Sequence, residues 1–294
     1  MTFTLEAPTL GAMRCASFRI GPEGICSICA EFQAVEIRRD EEYAEFLEAV
    51  NKHSGTAAVV AVSGGRDSLS ALWFLKHELG LEVIAVCLDS GYMVPAALTQ
   101  LRELCATHDI DLRVFGLGED EAGTLTHAVE TLASSDGSPC HLCSTYTAHR
   151  LTSVADECGA PAVVFGTNHF FRWDDRPIGL FHRKRPDGRT RVTVGLPYVA
   201  RLTRSDATRH TQAMGALIQT TDGISTNCHV PALLQVRIGR ECGHVPELEM
   251  LSLEVITGHL TREEALADVI KAATASKTAE LDWLIETMAN AREH

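Results

Sequence analysis

The chain has 294 residues, 45% of them hydrophobic and 22% charged, which is the composition of a globular protein with a sizeable core. No apolar run approaches the roughly 18 residues needed to span a bilayer, and MTFTLEAPTLGAMRC lacks the basic-then-apolar order of a secretory signal, so a cytoplasmic protein without a membrane partner is expected. A formal charge of −13 disfavours extended binding to nucleic acid, whose affinity is dominated by phosphate contacts.

Residues 1–35 carry Cys15, GPEG and the pair Cys26 and Cys29 in CSIC, and read as a small Cys-rich, zinc-binding knob. Residues 36–205 read as the main domain. Tyr43, Phe46, Leu47 and Val50 stand at helical spacing over 40–52. AAVVAV (57–62) is the continuous apolar run of a strand buried on both faces. A helix is expected over 68–79, a strand over 82–89, a helix over 95–108, a strand over 111–117 and a helix over 121–133. After the loop SSDGSPCHLC, a helix over 145–158 and a strand over 161–168 complete the alternation. Strands alternating with helices predict an α/β fold built on a doubly wound parallel sheet. Residues 170–206 look irregular and Arg-rich. The region 206–294 reads as a helical tail that supplies Cys228; in it Thr261 and Glu264 fit a capping box.

The first strand runs directly into Ser63, Gly64, Gly65, Arg66, Asp67 and Ser68, and then into a helix. Strand, glycine-rich loop and helix N-terminus together form an anion-binding device. The helix start offers unpaired N–H groups, glycines let the backbone approach a phosphate, and serine hydroxyls donate to its oxygens. The spacing is neither GxxxxGK[ST] nor GxGxxG, which argues against NTPase-type phosphoryl transfer and against dinucleotide binding.

SGGRDS resembles the SGGxDS signature of the PP-loop (N-type) ATP pyrophosphatases, in the strand–loop–helix context that signature requires. The resemblance implies an adenine nucleotide alpha-hydrolase-like fold and cleavage of ATP between its α- and β-phosphates, with AMP transferred to an acceptor oxygen. It implies a loop that holds the pyrophosphate and Asp67 near Mg2+ or the phosphates. It further implies nucleotide contacts from CLDSG, which contains Asp89, and from FGTN, where Gly166 permits close approach to ATP and Asn168 follows. Thiolating members place paired aspartates close behind that glycine; here Asp174 and Asp175 come later.

Ten cysteines in a reducing compartment point to metal, cluster or thiol chemistry rather than to disulfides. Cys140 and Cys143 form CHLC ahead of a helix, whose low-pKa end favours thiolate, and Cys228 lies 85 residues beyond Cys143. CxxC with a third cysteine at that distance resembles the PP-loop tRNA thiolases for 2-thiocytidine and 2-thiouridine. Their three cysteines bind a 4Fe–4S cluster with one open iron position. A structural zinc completed by His229, Cys242 or His244 is the alternative. GPEGICSIC, the CHLC helix and LTREEAL also resemble the N-acetyl sugar amidotransferases, although Ala12 stands where their first cysteine would be. Cys105 in LRELCATHD is a candidate persulfide carrier or a buried helix cysteine, and Cys87 and Cys158 read as core.

These readings lead to an ATP-dependent sulfurtransferase that adenylates an acceptor oxygen and replaces it with sulfur. The acceptor is a small nucleotide- or nucleobase-like metabolite, with Arg183, Lys184, Arg185 and Arg201 as candidates for its phosphate. The expected catalytic set is Asp67, Cys140, Cys143, Cys228 and Cys105, and the expected cofactors are ATP, Mg2+ and zinc or a 4Fe–4S cluster. The expected partner is a cysteine desulfurase-like sulfur donor, and the protein is expected to be a homodimer. The alternatives are an amidotransferase acting on a sugar, fed by an ammonia-producing glutaminase, and a tRNA thiolase, which the net charge disfavours.

Overall fold

The computed structural model describes residues 38–131, 139–168, 171–173, 176–185, 187–218, 227–231 and 248–275. Cys15, Cys26, Cys29, Asp174, Asp175, Cys242 and His244 lie outside the described residues.

In chain order the first elements are α1 (Arg39–Asn51), β1 (Ala58–Ala61), α2 (Arg66–Trp73, continued by a π-helical turn Phe74–Glu78), β2 (Val83–Asp89), α3 (Pro95–Thr107), β3 (Asp111–Gly116) and α4 (Glu119–Thr131). α5 (Pro139–Cys158) and β4 (Ala162–Phe165) follow. Next come β5 (Phe171–Trp173), β6 (Arg176–Ile178), β7 (Leu180–Lys184), β8 (Thr190–Gly195) and α6 (Leu196–Val199). The remaining helices are α7 (Arg204–Met214), α8 (Leu248–Thr257) and α9 (Arg262–Ala275).

Six strands form one sheet in the order β3-β2-β1-β4-β8-β7, parallel throughout except for the edge strand β7. Period-two alternation sends each strand's side chains into two cores. Ala58, Val60, Ala85, Cys87 and Val164 pack beneath one helical layer, which includes Leu69 and Leu72 of α2 and Leu101 of α3. On the other face Val59, Ile84, Val86 and Val163 meet Leu151, Val154 and Ala155 of α5. Each fully buried Val or Leu contributes about 1.5–3 kcal/mol relative to exposure, so β1 is held firmly from both sides. This is the doubly wound α/β sheet that the sequence pattern implies.

The π-helical turn that ends α2 brings Glu78 to α7. His210 of α7, fully buried, lies between Ser70 Oγ at 2.8 Å and Glu78 Oε1 at 2.9 Å, which fixes the helix that follows the SGGRDS loop.

The stretch 170–206 is not irregular. It contains β5–β8, and β8 runs parallel beside β4 deep in the sheet. Its arginines hid the strand. Arg191, 2% exposed, is neutralised by Asp156 at 2.6 Å, so a charge that reads as solvated is in fact buried and paired.

Strand order reverses at β1. The chain steps from β1 to β2 and β3 on one side, then returns to place β4 on the other. In open α/β sheets the crevice at the carboxyl ends of such strands is where ligands bind. Ser63 follows β1 and Gly166 follows β4, so both motifs open at that crevice.

Candidate active site

A cavity of about 460 Å³ occupies this position, lined by the ends of β1, β2 and β4. Ser63, Gly65, Arg66, Asp67 and Ser68 form its floor. Gly64 adopts φ +73, a left-handed conformation that side chains disfavour, and a Cβ there would meet the Ala97 carbonyl oxygen at 2.9 Å. Ser68 Oγ accepts from the Ser63 backbone N–H at 3.2 Å and donates to the Gly65 carbonyl at 2.9 Å, cross-bracing the loop from within. The residues 63–68 thus form a rigid turn at the N-terminus of α2, where unpaired backbone N–H groups and the helix dipole favour an anion.

Gly166 meets a second need besides the one read in the sequence. A Cβ at this position would lie 2.7 Å from Ser68 Cα and 2.9 Å from Ser68 N. The glycine therefore lets β4 press directly on the loop backbone, as well as lining the cavity. Asn168, at the far end of the same motif, donates to Asp67 Oδ2 at 3.3 Å.

Asp67 sits at the centre of the charge pattern. Burial pushes its carboxyl up, but Arg66, His259 and Arg204 outweigh that and hold it below the ordinary aspartate range. Arg66 Nε donates to it at 3.0 Å, and His259 Nε2 lies 3.8 Å away. An ionised carboxylate beside a phosphate cradle is the group that recruits a hard divalent cation with its nucleotide. Asp67 fits Mg2+ in this role, and Asn168 braces it with its amide N–H turned to the carboxylate.

Asp89 does not line the cavity. Its Oδ1 accepts from the Gly91 N–H at 3.1 Å and shapes the β2–α3 loop, which presents Ser90 and Met93 to the cavity instead.

The cysteines approach from the other side. Cys140 and Cys143 fall in the first turn of α5, not in a preceding loop, because Pro139 begins the helix, a position where its missing N–H costs nothing. Residues 227–231 are stitched to the β2–α3 loop. Met93 and Cys228 form an antiparallel bridge, Val94 N–H donates to the Asn227 carbonyl at 3.0 Å, and His229 N–H donates to the Tyr92 carbonyl at 3.1 Å. Cys143 and Cys228 consequently line the same cavity as the loop.

Burial raises the Cys143 thiol despite its place at a helix start, with Thr147 and Ser90 pulling the other way. Burial pushes Cys228 up to about 12, against hydrogen bonds from the Val230 and His229 backbone, and the neighbouring Cys140 and Cys143 add to the rise. Both are thiols at neutral pH. Among the described residues no three His, Cys, Asp or Glu side chains close into a group that holds a metal ion.

Cys105 does not reach the site. It is 1% exposed on α3, packed in the main core, and burial pushes its thiol up to about 11. It is a core residue, and the carrier role is withdrawn. Cys87 is fully buried in the same core.

The basic segment does not reach the site either. Lys184 and Arg183 pair in register with Thr190 and Arg191 at the start of β8, whereas β8 meets the crevice end of the sheet at Gly195. They therefore stand at the opposite end of the sheet from the cavity. Arg185 bonds the Gly159 carbonyl at 2.9 Å, and Arg201 pairs with Asp40 at 3.0 Å. These arginines serve the fold, not an acceptor phosphate.

Three site residues escaped sequence reasoning: Arg204 at the start of α7, Glu254 on α8 and His259 after it. Arg204 and Glu254 line the cavity. The capping box formed by Thr261 and Glu264 is present, with Thr261 N–H to Glu264 at 2.8 Å and Glu264 N–H to Thr261 Oγ1 at 3.2 Å; it sets the turn that carries His259. Arg39 anchors α8 from behind with a two-pronged bond to the Thr257 carbonyl at 2.8 and 2.7 Å.

Burial, reinforced by Asp67, pushes the Glu254 carboxyl up to about 8, with Arg204, Arg66 and Asn168 opposing. The folded chain keeps this proton to about pH 8, while an unfolded glutamate loses it near 4.5. The stability linked to it is therefore complete below about pH 4.5 and is lost as pH rises through about 8, at up to roughly 1.4 kcal/mol per pH unit. Glu254→Gln removes that slope. Its stability advantage over the parent is expected to grow between about pH 5 and 8 in denaturant melts, whereas a pH-independent offset would show the carboxyl to be ionised in the folded protein.

A protein of Methanocaldococcus jannaschii, itself uncharacterized, is 24% identical to this chain over 232 residues, 79% of each sequence. No family model matches. Among solved structures, NMN synthetase from Francisella tularensis aligns at 15% identity and a TM-score of 0.41, covering 82% of this chain and 95% of that one. U34-tRNA thiolase NcsA from Methanococcus maripaludis, solved with its 4Fe–4S cluster, aligns at 11% identity and a TM-score of 0.41, over 83% and 85% of the two chains. Likenesses at this level leave the activity to be argued from the cavity itself.

Proposed function

We propose that the chain is a PP-loop ATP pyrophosphatase that adenylates an acceptor oxygen and replaces it with sulfur. The observation that carries this reading is the shared cavity, where the Ser63–Ser68 anion cradle and the thiols of Cys143 and Cys228 face one space. A phosphate cradle alone would suit any nucleotide enzyme. Two thiols brought to it from α5 and from residues 227–231 suit one whose second half-reaction delivers sulfur.

ATP supplies the activating group. The loop N–H groups and the Ser63 hydroxyl hold its phosphates, and Asp67, braced by Asn168, would hold Mg2+, which would offset their charge. The acceptor oxygen attacks the α-phosphorus, its bond to phosphorus forms, and pyrophosphate leaves. The terminal sulfur of a persulfide on Cys228 or Cys143, charged by a sulfur-donor protein, then attacks the activated carbon and AMP departs with the former acceptor oxygen. The other thiol attacks the bridging sulfur, releasing the thiolated acceptor and leaving a Cys143–Cys228 disulfide for an external thiol to reduce. Keeping both thiols protonated until sulfur arrives protects the adenylate from attack by a bare thiolate.

The acceptor is a small molecule in this reading, and ammonia transfer to a sugar is the rival. The test incubates the protein with ATP, Mg2+, a persulfide donor and candidate acceptors. AMP and pyrophosphate in equal amounts, with an acceptor about 16 mass units heavier, are expected from exchange of oxygen for sulfur. Release of ADP overturns the whole reading, and a product carrying nitrogen in place of oxygen moves it to the amidotransferase.

A further inference from the structure

The floor of the cavity belongs to the SGGRDS loop, but two further basic side chains near it come from α7 and from the turn after α8. Arg204, the first residue of α7, lines the cavity and gives one prong, Nη2, to Asp268 of α9 at 2.5 Å. Its Nε is buried and has no hydrogen-bond partner. The backbone N–H of Arg204 donates to the His259 carbonyl at 2.9 Å, which ties it to the turn between α8 and α9. His259, 4% exposed, bonds the Leu202 carbonyl through Nδ1 at 2.7 Å. That bond turns Nε2 inward, where it is buried without a hydrogen-bond partner 3.8 Å from Asp67 Oδ1.

Buried polar atoms in folded proteins have partners, and those that lack one within the protein point to a ligand or an ion. His259 Nε2 stands beside Asp67, and the Arg204 charge acts on the same carboxylate, at the phosphate end of the cavity. The cysteines instead stand against Ser90 and Met93. A guanidinium that lines the site and has one prong anchored suits a phosphate.

We propose that Arg204 is a second phosphate-binding side chain, which takes the terminal phosphates of the nucleotide while Asp268 and the His259 turn position it. The inference rests on the adenylation reading and assigns part of that site to the C-terminal helices. It makes closure of the cradle depend on chain far from the loop signature.

Calorimetric binding of inorganic pyrophosphate and of AMP, each with Mg2+, tests it. Arg204→Ala is expected to weaken pyrophosphate about ten- to a hundredfold, the loss of one charge-assisted hydrogen bond or more, and to leave AMP, which lacks the terminal phosphates, within about twofold. Asp268→Asn is expected to weaken pyrophosphate less, and the double variant no more than Arg204→Ala alone. If Arg204→Ala does not fold, Arg204→Lys decides, because lysine keeps the charge without the fork: pyrophosphate binding is expected to fall several-fold with AMP unchanged. Unchanged pyrophosphate binding, or equal losses for pyrophosphate and AMP, overturns the proposal while leaving adenylation standing. A parent protein that binds neither ATP nor pyrophosphate overturns the adenylation reading, and this inference with it.

Discussion

Asp67→Asn is expected to cut acceptor-dependent formation of AMP and pyrophosphate by about 10²- to 10³-fold, the cost of losing one preorganised electrostatic group at a phosphate centre. The carboxylate is held ionised by Arg66, His259 and Arg204 against the cost of its burial, so its charge is the property the site preserves. Asparagine keeps the shape and the contact with Asn168 while removing the charge. Rapid-quench assay of AMP over a range of Mg2+ concentrations checks it. Residual activity within tenfold of the parent would remove Asp67 from the chemistry and reduce it to a brace for Arg66. Because Arg66 loses its partner, a modest fall in melting temperature is expected alongside, and a melt separates that from the catalytic loss.

Cys228→Ser is expected to do the reverse. Pyrophosphate release in a first turnover remains within about threefold of the parent, while release of thiolated acceptor is lost and the acceptor accumulates as its adenylate or as a mixed disulfide with Cys143. The substitution is structurally mild, because residues 227–231 are held to the β2–α3 loop by backbone hydrogen bonds that the side chain does not share. Serine puts a hydroxyl, which cannot carry a persulfide, in place of a thiol that can. Single-turnover quench with mass detection of the adenylate checks it. Loss of pyrophosphate release in the variant would show that Cys228 shapes the nucleotide pocket instead of delivering sulfur.

The sheet was legible because β1, β2 and β4 are short apolar runs whose burial on both faces leaves no other structure available to them. The SGGRDS loop was legible for a related reason: its glycines and hydroxyls interrupt the pattern exactly where strand turns to helix, and few local structures need that composition. β8 was hidden because Arg191 and Thr193, polar on paper, are buried, and only the fold shows that Asp156 is there to neutralise the arginine. Arg204, Glu254 and His259 carried no signal for a different reason. Each is an ordinary residue in an ordinary helix or turn, and its role comes from contact with a loop far away in sequence. Gly166 was found for one reason and kept for another, since local sequence cannot show that a strand end touches the backbone of Ser68.

The anchoring of α8 by Arg39 has a consequence for how the protein can be dissected. The cavity has one wall from the sheet and another from helices that end the described chain, and the guanidinium grip on Thr257 joins that second wall to the helix that begins it. A fragment trimmed to the sheet and its flanking helices would keep the loop signature intact and still lack the wall that carries Arg204, Cys228 and Glu254. The smallest unit that keeps this cavity whole includes α1 and α8 as well as the loop.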